Sequence, residues 1–84
     1  MTKELLHFSA TWCQPCKAMQ PILDKFLADN PDIAYTKYDA DADVSVFQDN
    51  GITGVPAFIV KKAGSDDVFH KGLASETKLI DLFA

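Results

Sequence analysis

The chain is short of several things at once. Its 84 residues hold two cysteines, four prolines and four glycines, too few cysteines to staple a small secreted scaffold and too little proline and glycine for a fibrous or low-complexity chain. Basic charge is scarce as well. Eight Lys and Arg stand against twelve Asp and Glu, for a net charge of −4, and the basic residues are scattered, without the stripe that nucleic-acid binding requires. No apolar run approaches the ~20 residues of a membrane span. The opening Met-Thr-Lys-Glu lacks the basic and apolar regions of a signal peptide, so the expectation is a cytoplasmic protein with neither nucleic acid nor membrane as partner.

What is present fits one compact unit. With 48% hydrophobic and 24% charged residues, no repeat and no flexible linker, residues 1–84 are expected to form a single domain and a monomer. A domain of this size buries roughly 60–65% of the surface its unfolded chain exposes, so good packing matters.

Leu5 to Ala10 carries apolar side chains on both parities, the pattern of a strand covered on both faces. From Gln14 the period changes: Met19, Ile22, Leu23, Phe26 and Leu27 recur at helical spacing until Asp29-Asn30-Pro31 stops them. Pro21 lies inside this helix, where its missing N–H should bend the axis. Ile33–Tyr38 reads as a second strand, and Val44, Val46 and Phe47 before Asn50-Gly51 as a short helix. Ala57–Lys61 and Val68–Lys71 form a hairpin around Ala63-Gly64-Ser65-Asp66, and Ser75 caps a closing helix whose apolar face is Leu79, Ile80, Leu82 and Phe83. The order β-α-β-α-β-β-α predicts an α/β fold: a four-stranded mixed sheet with helices on both faces, its first two strands parallel neighbours through a right-handed crossover.

Chemistry concentrates just past the first strand. Trp12-Cys13-Gln14-Pro15-Cys16 bridges strand and helix, at the carboxyl end of a strand where open α/β sheets bind ligands. Cys13 is placed at the helix N-terminus, whose free N–H groups and positive dipole end favour a thiolate and draw its pKa from about 8.5 toward neutrality. Cys16 returns one turn later, near enough to close a disulfide, and Pro15 suits the first helical turn because its absent N–H has no partner to lose. Alternatives remain at this point. The pair is also half of a zinc site, for which His7 and His70 are the other candidates but lack ligand spacing, or it is a pair of inert buried thiols. Asp39, Asp41 and Asp43 read as a solvated loop; no closing Glu follows to make a calcium loop.

The segment Phe8-Ser9-Ala10-Thr11-Trp12-Cys13-Gln14-Pro15-Cys16-Lys17 with Pro21-Ile22-Leu23, and then Gly51-Ile52-Thr53-Gly54-Val55-Pro56-Ala57-Phe58 and Lys71-Gly72-Leu73, closely resembles thioredoxins over nearly the whole chain. The family's usual opening strand and helix have no counterpart. The resemblance implies a thioredoxin-like fold and a protein-disulfide reductase, with Cys13 as nucleophile and Cys16 as resolving thiol. It implies a cis bond before Pro56 and a substrate groove lined by Trp12, Gln14, Pro15, Gly54, Val55, Pro56 and Gly72. It places Lys37 near the redox pair. It further implies disulfide-containing client proteins, no bound cofactor or metal, and electrons drawn ultimately from NADPH through a thioredoxin-reductase-like flavoprotein.

Departures are as informative as matches. His7 stands where thioredoxins usually carry a buried Asp. On a strand of period two it shares a face with Leu5 and is expected to point into the interior, where an imidazole with an ordinary pKa of about 6.5 would accept the Cys16 proton; a core histidine satisfied by hydrogen bonds is the other reading. Gln14 replaces a glycine, and Ser9 a second tryptophan. Pro15 before the second cysteine favours a reductant over an oxidising folding catalyst. Two further readings are a glutathione-dependent glutaredoxin-like reductant, and a binding module of the same fold whose cysteines are incidental.

Overall fold

The fold is built on one strand. In a computed structural model that describes residues 3–84, β1 (Lys3–Ser9) is followed by α1 (Gln14–Asp29), β2 (Ile33–Asp39), α2 (Val44–Asp49), β3 (Ala57–Lys62), β4 (Val68–Lys71) and α3 (Glu76–Leu82). The four strands form one sheet in the order β2-β1-β3-β4. β1 runs parallel to β2, pairing Leu5 with Tyr35, His7 with Lys37 and Ser9 with Asp39. It runs antiparallel to β3, which pairs antiparallel with β4. The mixed sheet, with its parallel opening pair, is the expected one.

Both faces of β1 are covered, which is why its sequence shows no polar alternation. Leu5, together with Phe58 and Val60 of β3, packs under Met19, Leu23 and Phe26 of α1 and Leu79 and Leu82 of α3. Leu6 and Phe8, with Ala57 and Ile59, face Phe47 of α2. Phe8 meets Phe47 edge to face at 5.1 Å between centroids and stacks on Tyr38 at 5.4 Å, geometries that suit the aromatic quadrupole. The two layers thus interlock through adjacent residues of a single strand.

Helix ends follow their sequence signals. The Asn30 backbone N–H donates to the Leu27 carbonyl and its side-chain Nδ2 to the Phe26 carbonyl, closing α1 before Pro31. Ser75 Oγ accepts the Lys78 N–H at 3.1 Å, the expected N-cap of α3. Gly51, just past α2, takes φ +67°, a region costly for a residue with a Cβ.

Three expectations need correction. β1 covers Lys3–Ser9 instead of residues 5–10, because the chain leaves the sheet once the Ser9 carbonyl has accepted the Ala40 N–H. β2 and β3 each continue one residue further, to Asp39 and Lys62. Ile22 and Ile80, assigned to buried helix faces, are exposed at 38% and 54%: each flanks the buried stripe of its helix, which is Met19, Leu23 and Phe26 in α1 and Leu79 and Leu82 in α3.

Leu23, fully buried between α1 and the sheet, is expected to be the more sensitive of two adjacent leucine-sized positions. Leu23→Ala should lower unfolding free energy by about 3 kcal/mol in urea titration, whereas Ile22→Ala should cost less than about 1 kcal/mol.

Candidate active site

The junction between β1 and α1 is made by local hydrogen bonds. The Cys13 N–H donates to the Ala10 carbonyl at 3.1 Å, and the Lys17 N–H to the Cys13 carbonyl at 3.2 Å, so the chain turns directly from strand into helix. Cys13 is the N-cap, with φ −88° and ψ 104°, and its Sγ accepts the Cys16 N–H at 3.2 Å. Sulfur here takes the place of the oxygen of a Ser or Asp cap. Cys13 and Cys16 are joined as a disulfide, their Cα atoms 5.3 Å apart. Both residues are almost covered, at 4% and 3% exposure, and pack with Ala10 against Ala40 and Val55. Trp12, Gln14 and Pro15 lie exposed around them.

A second segment reaches the pair from across the sheet. Val55 packs on the cysteine cluster, and its peptide bond to Pro56 is cis. The Gly72 N–H donates to the Pro56 carbonyl at 2.8 Å, which ties the end of β4 to this loop. Gly72 has φ +88° with nothing within 4 Å of where a Cβ would stand; backbone conformation, not crowding, is what calls for glycine there. Gly54 is exposed beside Val55. Residues 12–16, 54–56 and 72 therefore gather at one end of the sheet.

His7 is fully buried, as its strand position implied. Its ring stacks on Phe58 at 4.7 Å, and Nδ1 lies 2.9 Å from the Tyr35 hydroxyl. Nε2 is buried and has no hydrogen-bond partner among the described residues. Burial, and after it the nearby Lys37 ammonium, push the ring's pKa down to about 4. This corrects the expectation of an imidazole titrating near 6.5: at neutral pH the ring is neutral, and it holds a proton far more weakly than a free histidine. Tyr35 is pushed the other way, since burial raises its phenol above the ordinary value and keeps it protonated. Lys37, opposite His7 in the β1–β2 register, sends Nζ to Gln20 Oε1 at 3.0 Å.

A cavity of 460 Å³ opens beside the pair on the α1 face of the sheet, lined by Ser9, Ala10, Thr11, Cys16, Lys17, Gln20, Lys37 and Asp39. Sequence reasoning passed over Gln20, beside this cavity, and Tyr35, beside His7, and it read Asp39 as part of a solvated loop, whereas Asp39 ends β2 half-buried and lines the cavity. Signals existed for each: Gln20 is one helical turn after Cys16, and Tyr35 and Asp39 are two residues either side of Lys37, on its face of β2. His70 sits apart, with Nε2 3.1 Å from the Leu73 carbonyl. Among the described residues no cluster of three or more His, Cys, Asp and Glu side chains is placed to hold a metal ion, and no helix is long and apolar enough to cross a membrane.

The depressed pKa of His7 has a sign in stability. The unfolded chain takes up a proton at this ring from about pH 6.5 and the folded chain only near pH 4, so the contribution is whole above 6.5 and is lost as pH falls toward 4. Between pH 7 and pH 5 about 2 kcal/mol of unfolding free energy should disappear on this account. Urea titrations of His7→Phe at the two pH values should show a fall smaller by that amount than the wild-type fall; equal falls would remove His7 as the cause.

Comparison with known proteins agrees with this geometry. The family model described as Thioredoxin matches residues 1–84. Mitochondrial thioredoxin-3 of Saccharomyces cerevisiae is 39% identical over 62 residues, which cover 74% of this chain and 49% of that protein, so the chain spans about half the length of this relative. A thioredoxin of Chlamydia muridarum is 31% identical over 80 residues, 95% of this chain and 78% of the relative. The oxidised crystal structure of the yeast mitochondrial protein superimposes with a TM-score of 0.84 at 35% identity, covering 94% of this chain and 74% of that one. A disulfide capping the helix after the first strand, in a sheet of this order and with matches along the whole length, places the chain in the thioredoxin family.

Proposed function

We propose that this protein is a protein-disulfide reductase that cycles Cys13 and Cys16 between dithiol and disulfide. The observation that carries the reading is the Cys16 N–H directed at Cys13 Sγ from the first turn of α1: a donor and a helix dipole both favour negative charge on that sulfur. Cys16 Sγ receives no such bond among the described residues, so Cys13 is the attacking atom and Cys16 the resolving one.

In the first step the Cys13 thiolate attacks a client disulfide, forms a mixed disulfide and expels one client thiolate, which takes up a proton. Cys16 then gives up its proton to solvent, and its thiolate attacks Cys13 Sγ, closing the Cys13–Cys16 bond and expelling the second client thiolate, which takes up a proton. Two electrons and two protons pass to the client. The client segment lies in the groove rimmed by Trp12, Gln14, Pro15, Gly54 and Gly72, with Pro56 buried behind them, and pairs in strand fashion with the main chain of Val55, a mode that gives affinity with little sequence preference. Reduction of the spent disulfide draws on NADPH through a thioredoxin-reductase-like flavoprotein. A reducing compartment such as the cytoplasm suits this cycle.

His7, stacked on Phe58 with a lowered pKa and its Nδ1 engaged by Tyr35, fits a core residue better than the base for Cys16, but with Nε2 unpartnered among the described residues it is only half satisfied by hydrogen bonds. Lys37 acts at long range, as a positive charge beside the cavity that Cys16 borders.

Insulin reduction coupled to NADPH and a thioredoxin reductase tests the cycle. Wild type should be active and Cys13→Ser inactive, while Cys16→Ser should accumulate a client adduct on Cys13 visible by intact mass. Activity that survives Cys13→Ser would make the cysteines incidental. Trp12, the only tryptophan, adjoins the disulfide, and its fluorescence should rise on reduction with dithiothreitol.

A further inference from the structure

The cavity beside α1 holds more charged hydrogen-bond donors than its own acceptors can engage. Its most covered lining residues, Ser9, Ala10 and Cys16, are small, and its exposed ones are Thr11, Lys17 and Lys37. Lys3, Lys25 and Lys61 each pair with a carboxylate, on Asp32, Glu76 and Asp67; among the described residues Lys17 and Lys37 do not. The Lys37 ammonium has three N–H groups and makes one hydrogen bond there, to Gln20 Oε1. Gln20 in turn donates from Nε2 to Asp24 Oδ1 at 2.9 Å. The one carboxylate of the lining is turned to its own loop, since Asp39 Oδ1 accepts the N–H groups of Asp41 and Ala42 at 2.8 and 3.2 Å. Two ammonium groups to one carboxylate make a local excess of positive charge in a chain whose net charge is −4.

The same cavity adjoins the place where a client would be held. Cys16 lines it and is bonded to Cys13, and Thr11 lines it and is followed in the chain by Trp12, on the rim of the client groove. A client joined to Cys13 through its own cysteine therefore lies close to the opening. Extended chain advances about 3.3 Å per residue, so side chains within about three residues of that cysteine stand no more than roughly 10 Å along the chain from it. At 460 Å³ the space admits such a side chain with part of its backbone, and it lies in the range of ligand sites, roughly 300–1,000 Å³. A carboxylate is the matching group: it accepts hydrogen bonds without donating any and carries the opposite charge. Because Lys17 and Lys37 are exposed, pairing with them does not require a charge to be buried.

We infer that the cavity is a subsite for an acidic side chain of the client, an Asp or Glu within about three residues of the cysteine that Cys13 attacks; this rests on the reading of Cys13–Cys16 as a working redox pair. Lys17 and Lys37 hold the carboxylate at the rim while the client's main chain pairs with that of Val55. Strand pairing is nearly indifferent to sequence, so it is the subsite that selects among clients. Complementary charge speeds the right encounter and disfavours the wrong one: a client with Lys or Arg at the same place is a poor substrate.

The probes are end-blocked Gly/Ser peptides with one central cysteine, capped as a disulfide by 2-mercaptoethanol. A single Glu, or Gln as its neutral match, is placed at each other position in turn. Dithiothreitol-reduced, desalted protein is mixed with each peptide, and the fall of Trp12 fluorescence on oxidation gives the rate. At one placement near the cysteine the Glu peptide should react about five-fold faster than its Gln match, the effect of two partly exposed ion pairs, and toward the peptide ends the two should react alike. In the Lys17→Gln, Lys37→Gln double variant that ratio should fall to about one. A ratio near one at every placement overturns the inference, as does a preference that survives in the double variant. An equal preference for Glu at all placements also overturns it, because diffuse attraction by the lysines needs no subsite. The Gln peptides separate the two levels: if they and insulin are reduced and no preference for Glu is seen, only this inference is lost. If neither is reduced, the redox cycle fails and the inference with it.

Discussion

A single sulfur holds the chemistry and the architecture together. Cys13 Sγ is the hydrogen-bond acceptor that caps α1 and is also one half of the redox bond. A capping oxygen would satisfy the Cys16 N–H equally well but could not exchange electrons. In the proposed cycle the helix therefore begins on a group whose state changes. In that cycle the N–H that closes the first turn in the disulfide would also hold the charge when that bond opens. Everything else in the site is arranged around this turn. β1 delivers the chain to the end of the sheet, Leu5, Leu23 and Phe58 fix the helix above it, and Val55 arrives from the other side.

Much of this was legible in the residues. Apolar side chains on both parities of β1 announced a strand buried twice over, the change of period at Gln14 announced α1, and Ser75 and Asn30 marked helix ends that the hydrogen bonds repeat. The redox pair was legible because strand end, Cys-x-x-Cys spacing and helix start coincide. Exposure of Ile22 and Ile80 was not. Helical period marks a stripe, but how much of its flank is covered depends on the width of the neighbouring layer. The environment of His7 was hidden for a related reason. Strand parity pointed its ring inward, yet the Phe58 stack and the Tyr35 hydroxyl come from other strands, and only the register brings them together.

The two sides of the disulfide differ in chemical character. Toward Val55 and Trp12 the surroundings are apolar and backbone-rich, suited to an extended polypeptide. Toward Ser9 and Lys37 they are polar and cationic. The second character follows from small residues at Ser9 and Ala10. Short side chains at the end of β1 leave open the space between α1 and β2 that a large ring would fill.

The bond from the Gly72 N–H to the Pro56 carbonyl carries one further consequence. It attaches the Val55–Pro56 loop to β4, the shortest strand and an outer edge of the sheet, where Phe69 stands exposed. Sheet margins fray more readily than centres, and amide protons there exchange first. The loop that packs on the disulfide is thus anchored at the margin of the sheet, whereas the helix that bears the sulfurs rests on its central strands.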